Sequence, residues 1–241
     1  MKNLVYLGVN KGQTFNQLVL KNKYDKFYGF EAIPEFANTL TLQHKSNPKV
    51  EIINAAVGED NEPKVFYVQS THGGNDGVAS SLAKLSKSYI TEKKSSNFII
   101  NNEVTVPGIN LKEFLNERGI TEIDTYISDI QGMDYYVLST IKEFINNKKI
   151  KTIQVEAQCD YITENCYELS YPNNISTFHE LLDENFEVVS LQQGGDWNPD
   201  SPTRWWHRDL EFALKKLKRM VKDSGQILEM KKRTYYEKPS A

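Results

Sequence analysis

Two sets of residues in this 241-residue chain have types and spacing that could do chemistry. The first is the run Leu7-Gly8-Val9-Asn10-Lys11-Gly12, which lies between an apolar stretch and a helical one. Glycines there let backbone approach a ligand, and the N-terminus of the helix that follows favours electronegative groups. Glu31 closes the next apolar run about twenty residues on, the separation at which one carboxylate accepts from both ribose hydroxyls of a nucleoside. The pair implies adenosine recognition. An acid at this point repels a 2′-phosphate, so NADP is disfavoured, while NAD and S-adenosylmethionine both satisfy the pattern. The second set is Asp129 and Glu156, each at the end of a short apolar run. A carboxylate so placed can orient a hydroxyl, accept its proton or bind a cation, and Glu156 can instead hold sugar hydroxyls. The alternative for both is capping of the segment that follows.

Other candidates carry less. His72, in the glycine-rich run Thr71 to Gly77, and His207, beside Trp205 and Trp206, are the histidines expected to reach a cleft, but neither has a partner visible in sequence. Trp197, Trp205, Trp206 and Tyr171 could offer apolar faces to a sugar ring, although such residues more often serve in cores. Cys159 and Cys166 are too few for a disulfide framework and lack the companions of a zinc site, so they read as small buried hydrophobes in a reducing cytosol.

The elements that must position these residues alternate. Leu4 to Leu7 reads as a strand, with a helix through Phe15, Leu18 and Leu20; Lys26 to Glu31 is a second strand, Pro34 begins a second helix, and Val50 to Ile53 is a third strand. Val65 to Val68 reads as an extra strand, Ser86 to Asn102 as polar chain, Val104 to Val106 as a strand and Leu111 to Leu115 as a helix. Tyr126 to Ser128 is a strand, Tyr135 to Ile145 one helix, and Thr152 to Val155 a strand. Phe178, Leu181 and Leu182 mark a helix, Phe186 to Leu191 a strand, and Gln192 to Pro202 a turn-rich segment. This order predicts an α/β fold with a mostly parallel central sheet, helices on both faces and ligands beyond the carboxyl ends of the strands.

The net charge of −3 excludes a globally basic nucleic-acid binder, and no apolar run approaches membrane-spanning length. From Arg204 onward, however, eleven Lys/Arg stand against five Asp/Glu, and Leu210, Leu214, Leu217 and Val221 suggest an amphipathic helix. The expected organisation is one domain over 1–203, with a basic C-terminal helix and tail over 204–241 packed on it. That helix is also the expected contact if the chain forms a homo-oligomer.

The motifs resemble those of FkbM-type methyltransferases. The matching pieces are Leu7 to Thr14, Phe30-Glu31-Ala32-Ile33-Pro34, Asn54-Ala55-Ala56-Val57-Gly58, Ser80-Ser81-Leu82, and Ile127 to Asp134 with Val137-Leu138, in family order. The resemblance implies a Rossmann-like class I methyltransferase fold, S-adenosyl-L-methionine as cofactor, and O-methyl transfer to a sugar, glycan or similar hydroxylated small molecule in the cytoplasm. It implies that Gly8, Val9, Asn10 and Gly12 cradle the methionine part of the cofactor. Glu31 would hold the ribose, Ala32 would belong to the same cofactor site, and the segment from Asn54 through Ala55 and Ala56 to Val57 would surround the adenine. It places Asp129 nearest the transferred methyl as first catalytic candidate, with Glu156 second; a divalent cation is compatible with the site but not indicated. Tyr6 stands where the family usually has an acid, Ala32 where it often has proline, and Ile127 where it often has lysine. The first strand begins almost at once, so a cover for the cofactor is expected from the basic tail or a partner subunit. The alternative is a catalytically impaired module of the same fold that binds cofactor or a partner; an NAD-dependent oxidoreductase is disfavoured because no separate substrate domain follows.

Overall fold

The computed structural model describes residues 1–70, 77, 79–86, 99–158, 167–168, 171–193 and 202–207. The chain starts with β1 (Asn3–Leu7), α1 (Gln13–Lys21), β2 (Lys26–Glu31), α2 (Pro34–His44) and β3 (Val50–Asn54). After β4 (Ala56–Gly58), β5 (Lys64–Ser70), β6 (Ile99–Val106) and β7 (Gly108–Asn110) come α3 (Leu111–Glu117) and β8 (Ile123–Ser128). Then follow α4 (Asp134–Thr140), α5 (Lys142–Asn146), β9 (Ile150–Glu156), α6 (Ile175–Leu182), β10 (Glu187–Gln193) and β11 (Pro202–His207). Local chemistry marks several ends: Pro34 opens α2, Asn110 caps α3 by accepting from the Glu113 N–H at 3.1 Å, and Asn22 ends α1 in the left-handed region.

Seven strands form one sheet in the order β10-β11-β9-β8-β1-β2-β3. The five from β9 to β3 run parallel, and β11 is antiparallel to both its neighbours. Central strands covered on both sides must be apolar throughout rather than alternating, and all five residues of β1 are buried. Leu4 and Tyr6 face a core that contains Phe15 of α1 and Leu40 of α2. Val5 and Leu7 face the larger core, built from Leu111, Phe114, Val137, Phe144 and Phe178 of the helices α3 to α6. Phe15 is fully buried, edge-on to Tyr6 and Phe27, and its burial contributes roughly 2–3 kcal/mol.

The expected helix from Tyr135 to Ile145 is two helices. The chain leaves helical geometry at Ile141, at φ −106° and ψ 29°. Just before it, the Ser139 and Thr140 hydroxyls donate to the carbonyls of Tyr136 and Val137 at 2.6 and 2.7 Å, competing with the backbone ladder. Arg204 to His207, expected at the start of the tail helix, belong to β11; Gln192 and Gln193, expected in a turn, belong to β10. The strand therefore runs past the expected boundary at 203. The proposed helix beyond it, with Leu210 to Val221, lies outside the described residues. The antiparallel pair of β5 and β6, which follows β4, forms a small sheet of its own, and β6 starts earlier than Val104. No helix among the described residues is long and apolar enough to cross a membrane.

Candidate functional site

The direction of strand succession reverses between β1 and β8, so the carboxyl ends of these neighbours open a crevice. The turn after β1 forms one wall. Gly8 and Val9 donate their N–H groups to the Phe30 carbonyl, both at 3.0 Å, and Gly12 donates to Val9 at 2.9 Å. Gly8 has φ +77°, and a Cβ there would sit 2.0 Å from the Asp129 carbonyl oxygen. On the other side, the Asp129 N–H donates to Leu7 at 3.1 Å. The glycine turn and the Asp129 loop are thus one packed unit, and only glycine allows it.

Glu31 ends β2 with its carboxylate already half satisfied. Oε2 accepts from the Asn10 N–H at 2.7 Å and Oε1 from the Ile33 N–H at 2.8 Å. The Ala32 N–H bonds the same carboxylate, and the acceptor capacity that remains suits a ribose hydroxyl in the cleft that Glu31 lines. The residue is 5% exposed, and burial pushes its carboxyl up to about 7 against the partial relief of those backbone bonds. Asn54 ties β3 to this wall through its amide, which donates to the carbonyls of Glu31 and Ala32. Ala55, Ala56 and Val57 continue the lining, and Phe66, Leu82 and Gly77 close it from the insertion.

Asp129 is exposed to the cleft at the end of β8. Its loop is organised by Asp134, fully buried at the start of α4, which accepts from the Ser128 hydroxyl at 2.5 Å, the Ile130 N–H at 3.1 Å and the Gly132 N–H at 3.3 Å. Burial and the neighbouring Asp129 charge push Asp134 up to about 6 despite those donors. Tyr6 also lines the cleft; burial first, then the charge of Asp129, raises its phenol, so it stays neutral beside a hydrogen-bonded Thr14. Among the described residues, no group of three or more His, Cys, Asp or Glu is arranged to hold a metal ion.

Of the residues expected to bind cofactor, Gly8, Val9, Asn10, Glu31, Ala32, Ala55, Ala56 and Asp129 converge on one cleft. Gly12 and Asn54 stand outside its lining. Gly12 is the left-handed residue before α1, where a Cβ would meet Leu40 at 2.3 Å, and Asn54 acts through its bonds to β2. Glu156 is also outside the lining, half-buried behind Gln131, and burial followed by the charge of Asp129 holds its carboxyl well above the usual range. Tyr171 packs against Tyr136 at 4.3 Å between ring centres, away from the cleft. His72, Trp197, Cys159 and Cys166 lie outside the described residues, as do the side chains of Trp205, Trp206 and His207. The sequence reading gave no site role to Tyr6, Gln131, Phe66 or Leu82, although Gln131 and Leu82 fall inside matched motifs.

The methyltransferase FkbM domain model matches residues 7–187, and a ribosomal protein S21 model matches residues 207–241. No curated protein matches the chain. The FkbM methyltransferase from Methylobacillus flagellatus KT superposes with a TM-score of 0.52 at 9% identity, over 86% of this chain and 44% of that one. Fibrillarin from Aeropyrum pernix, in complex with natively bound S-adenosyl-L-methionine, superposes with 0.43 at 12% identity, over 85% of this chain and 65% of that one. The chain therefore spans less than two thirds of the length of either. The M. flagellatus enzyme shares its fold, a central mostly parallel sheet with helices on both faces. The family match extends over more than half of the sequence and takes in the glycine turn, Glu31 and the Asp129 loop, so the chain belongs to the FkbM methyltransferase family.

Proposed function

We propose that the protein is an S-adenosylmethionine-dependent methyltransferase that methylates a hydroxyl of a sugar, glycan or similar hydroxylated small molecule in the cytosol. The observation that carries this reading is the placement of Asp129, a cleft-exposed carboxylate whose backbone is packed against the Gly8 turn. The residues fit the cofactor. The turn at Gly8, Val9 and Asn10 lines the cleft close to the Asp129 loop, and Glu31 lines it as a buried carboxylate that can accept from a ribose hydroxyl. Bound there, S-adenosylmethionine supplies an electrophilic methyl group on a sulfonium. A neutral alcohol is a poor nucleophile and needs a positioned base; Asp129 would take the hydroxyl proton as the methyl carbon exchanges its bond to sulfur for one to oxygen. Tyr6, neutral and apolar over most of its ring, helps keep water from that path.

Transfer of a labelled methyl group to hydroxylated acceptors tests the reading. Asp129→Asn should lower turnover by about a hundredfold or more while cofactor affinity changes little. Cofactor binding by the wild-type protein with no transfer to any hydroxyl acceptor would count against it.

A second reading is favoured by the S21 match. Residues 207–241 carry ten Lys/Arg and five Asp/Glu, against an acidic balance in the rest of the chain. Such a segment is suited to phosphate contacts, and the acceptor in this reading is a ribose hydroxyl of RNA. Ribosomal subunits as acceptors, compared for the full chain and a chain ending at His207, separate the two readings.

A further inference from the structure

Gln131 joins the two strand-end carboxylates and has no part in the scheme above. It follows Asp129 closely at φ +56°, a left-handed backbone uncommon for a residue with a Cβ, and precedes Gly132 at φ +100°. The side-chain amide reaches between the two acids. Nε2 donates to Asp129 Oδ1 at 2.6 Å and to Glu156 Oε2 at 2.8 Å, using both of its hydrogens. Oε1 accepts from the Tyr167 hydroxyl at 2.5 Å, which fixes which way the amide faces. The Gln131 carbonyl accepts from Ser81 Oγ at 2.7 Å. Ser81 pairs with β5 at Tyr67, and Tyr167 bridges to Leu85, so stretches far apart in sequence hold Gln131, one by its backbone and one by its side chain. A surface glutamine would have no such set of partners.

We propose that Gln131 is a positioning residue for methyl transfer, clamping Asp129 and Glu156 into one unit and fixing the direction from which Asp129 meets the acceptor. This rests on the role given to Asp129 above. Two carboxylates in contact repel, and a donor shared between them offsets part of that repulsion. Burial first, and then the Asp129 charge, hold the Glu156 carboxyl above its ordinary range, and the Gln131 donor opposes that rise. The titratable groups that face the clamp, among the described residues, are Asp129 on its own loop, Glu156 at the end of β9, Asp134 at the start of α4, Tyr6 of β1 beside Asp129, and Tyr167.

Two substitutions in the full chain test the clamp. Gln131→Met keeps the length but has no donor; it should lower kcat about tenfold or more while acceptor KM and cofactor Kd stay within about threefold. Gln131→Glu replaces the shared donor with a third carboxylate; it should raise the Glu156 titration midpoint by about one unit or more, read by carboxyl 13C NMR, and shift the acidic limb of kcat to higher pH. Unchanged kcat and unchanged carboxyl titration in both variants would overturn the proposal. So would a kcat loss in Gln131→Met matched by an equal loss of cofactor affinity, since that is the mark of general unfolding of the site. If the wild-type protein methylates no hydroxyl acceptor, the functional reading fails separately, and the NMR titration still decides whether the clamp exists.

Discussion

Cofactor affinity should fall as the pH drops through 7, and Glu31 is the reason. Its carboxyl is raised from 4.5 to about 7 by burial, with the Ile33, Asn10 and Ala32 N–H groups opposing the shift. A raised acid in the folded state is held protonated over a wider range than in the unfolded chain. Its ionisation therefore costs the free fold nothing below about 4.5 and about 3 kcal/mol once the pH exceeds about 7, so this group makes the ligand-free protein more stable as the pH falls. The ligand works in the opposite direction. Ribose hydroxyls donate, and the ionised carboxylate accepts them in charge-assisted bonds of roughly 1.5–3 kcal/mol each. With binding confined to the ionised form, the dissociation constant at pH 6 is about tenfold weaker than on the plateau above pH 8, and at pH 5.5 about thirtyfold. Titration calorimetry with 5′-methylthioadenosine isolates the effect, because this ligand has the ribose and adenine but no amino acid to titrate. Glu31→Gln should bind weakly and with no pH slope, since one of its two positions becomes a donor facing a backbone N–H. Wild-type affinity that is constant from pH 8 to 5.5, or a slope that persists in Glu31→Gln, would refute the assignment of Glu31 as ribose acceptor.

Three further outcomes follow from the packing. Gly8→Ala forces a Cβ to within 2.0 Å of the Asp129 carbonyl oxygen at positive φ; thermal melts and calorimetry should show a loss of about 1–3 kcal/mol or more in stability together with loss of cofactor binding. Asp134→Ala leaves the Ser128 hydroxyl and the Ile130 and Gly132 N–H groups without their acceptor, and urea unfolding should record a loss of roughly 3 kcal/mol, with Asp134→Asn recovering part of it. Phe15→Ala opens a cavity under Tyr6 and should cost about 3–5 kcal/mol by the same measurement.

The alternation of short apolar runs with helical periodicity was enough to place most strands and helices, because in a sheet covered on both faces each strand must be apolar along its length. β2 and the start of α2 were legible to the residue, the latter because proline suits only the first turn of a helix. The break at Ile141 was not, since it depends on two hydroxyls turning back on their own helix. β11 was hidden as well: its partners are β9 and β10, and local sequence carries no sign of a strand inserted between them.

At the site the same division holds. Residue type and position singled out Gly8, Glu31, Asp129 and Glu156, because a turn without side chains and an acid closing a strand are each written in local sequence. Which of the expected residues face the cleft was decided by tertiary structure. Glu156 ends a strand much as Asp129 does, yet it stands behind the amide of Gln131, whose backbone is held by Ser81 and whose side chain is held by Tyr167. Those contacts link positions 36 to 50 residues apart, and a pairing of that kind exists only once the chain has folded.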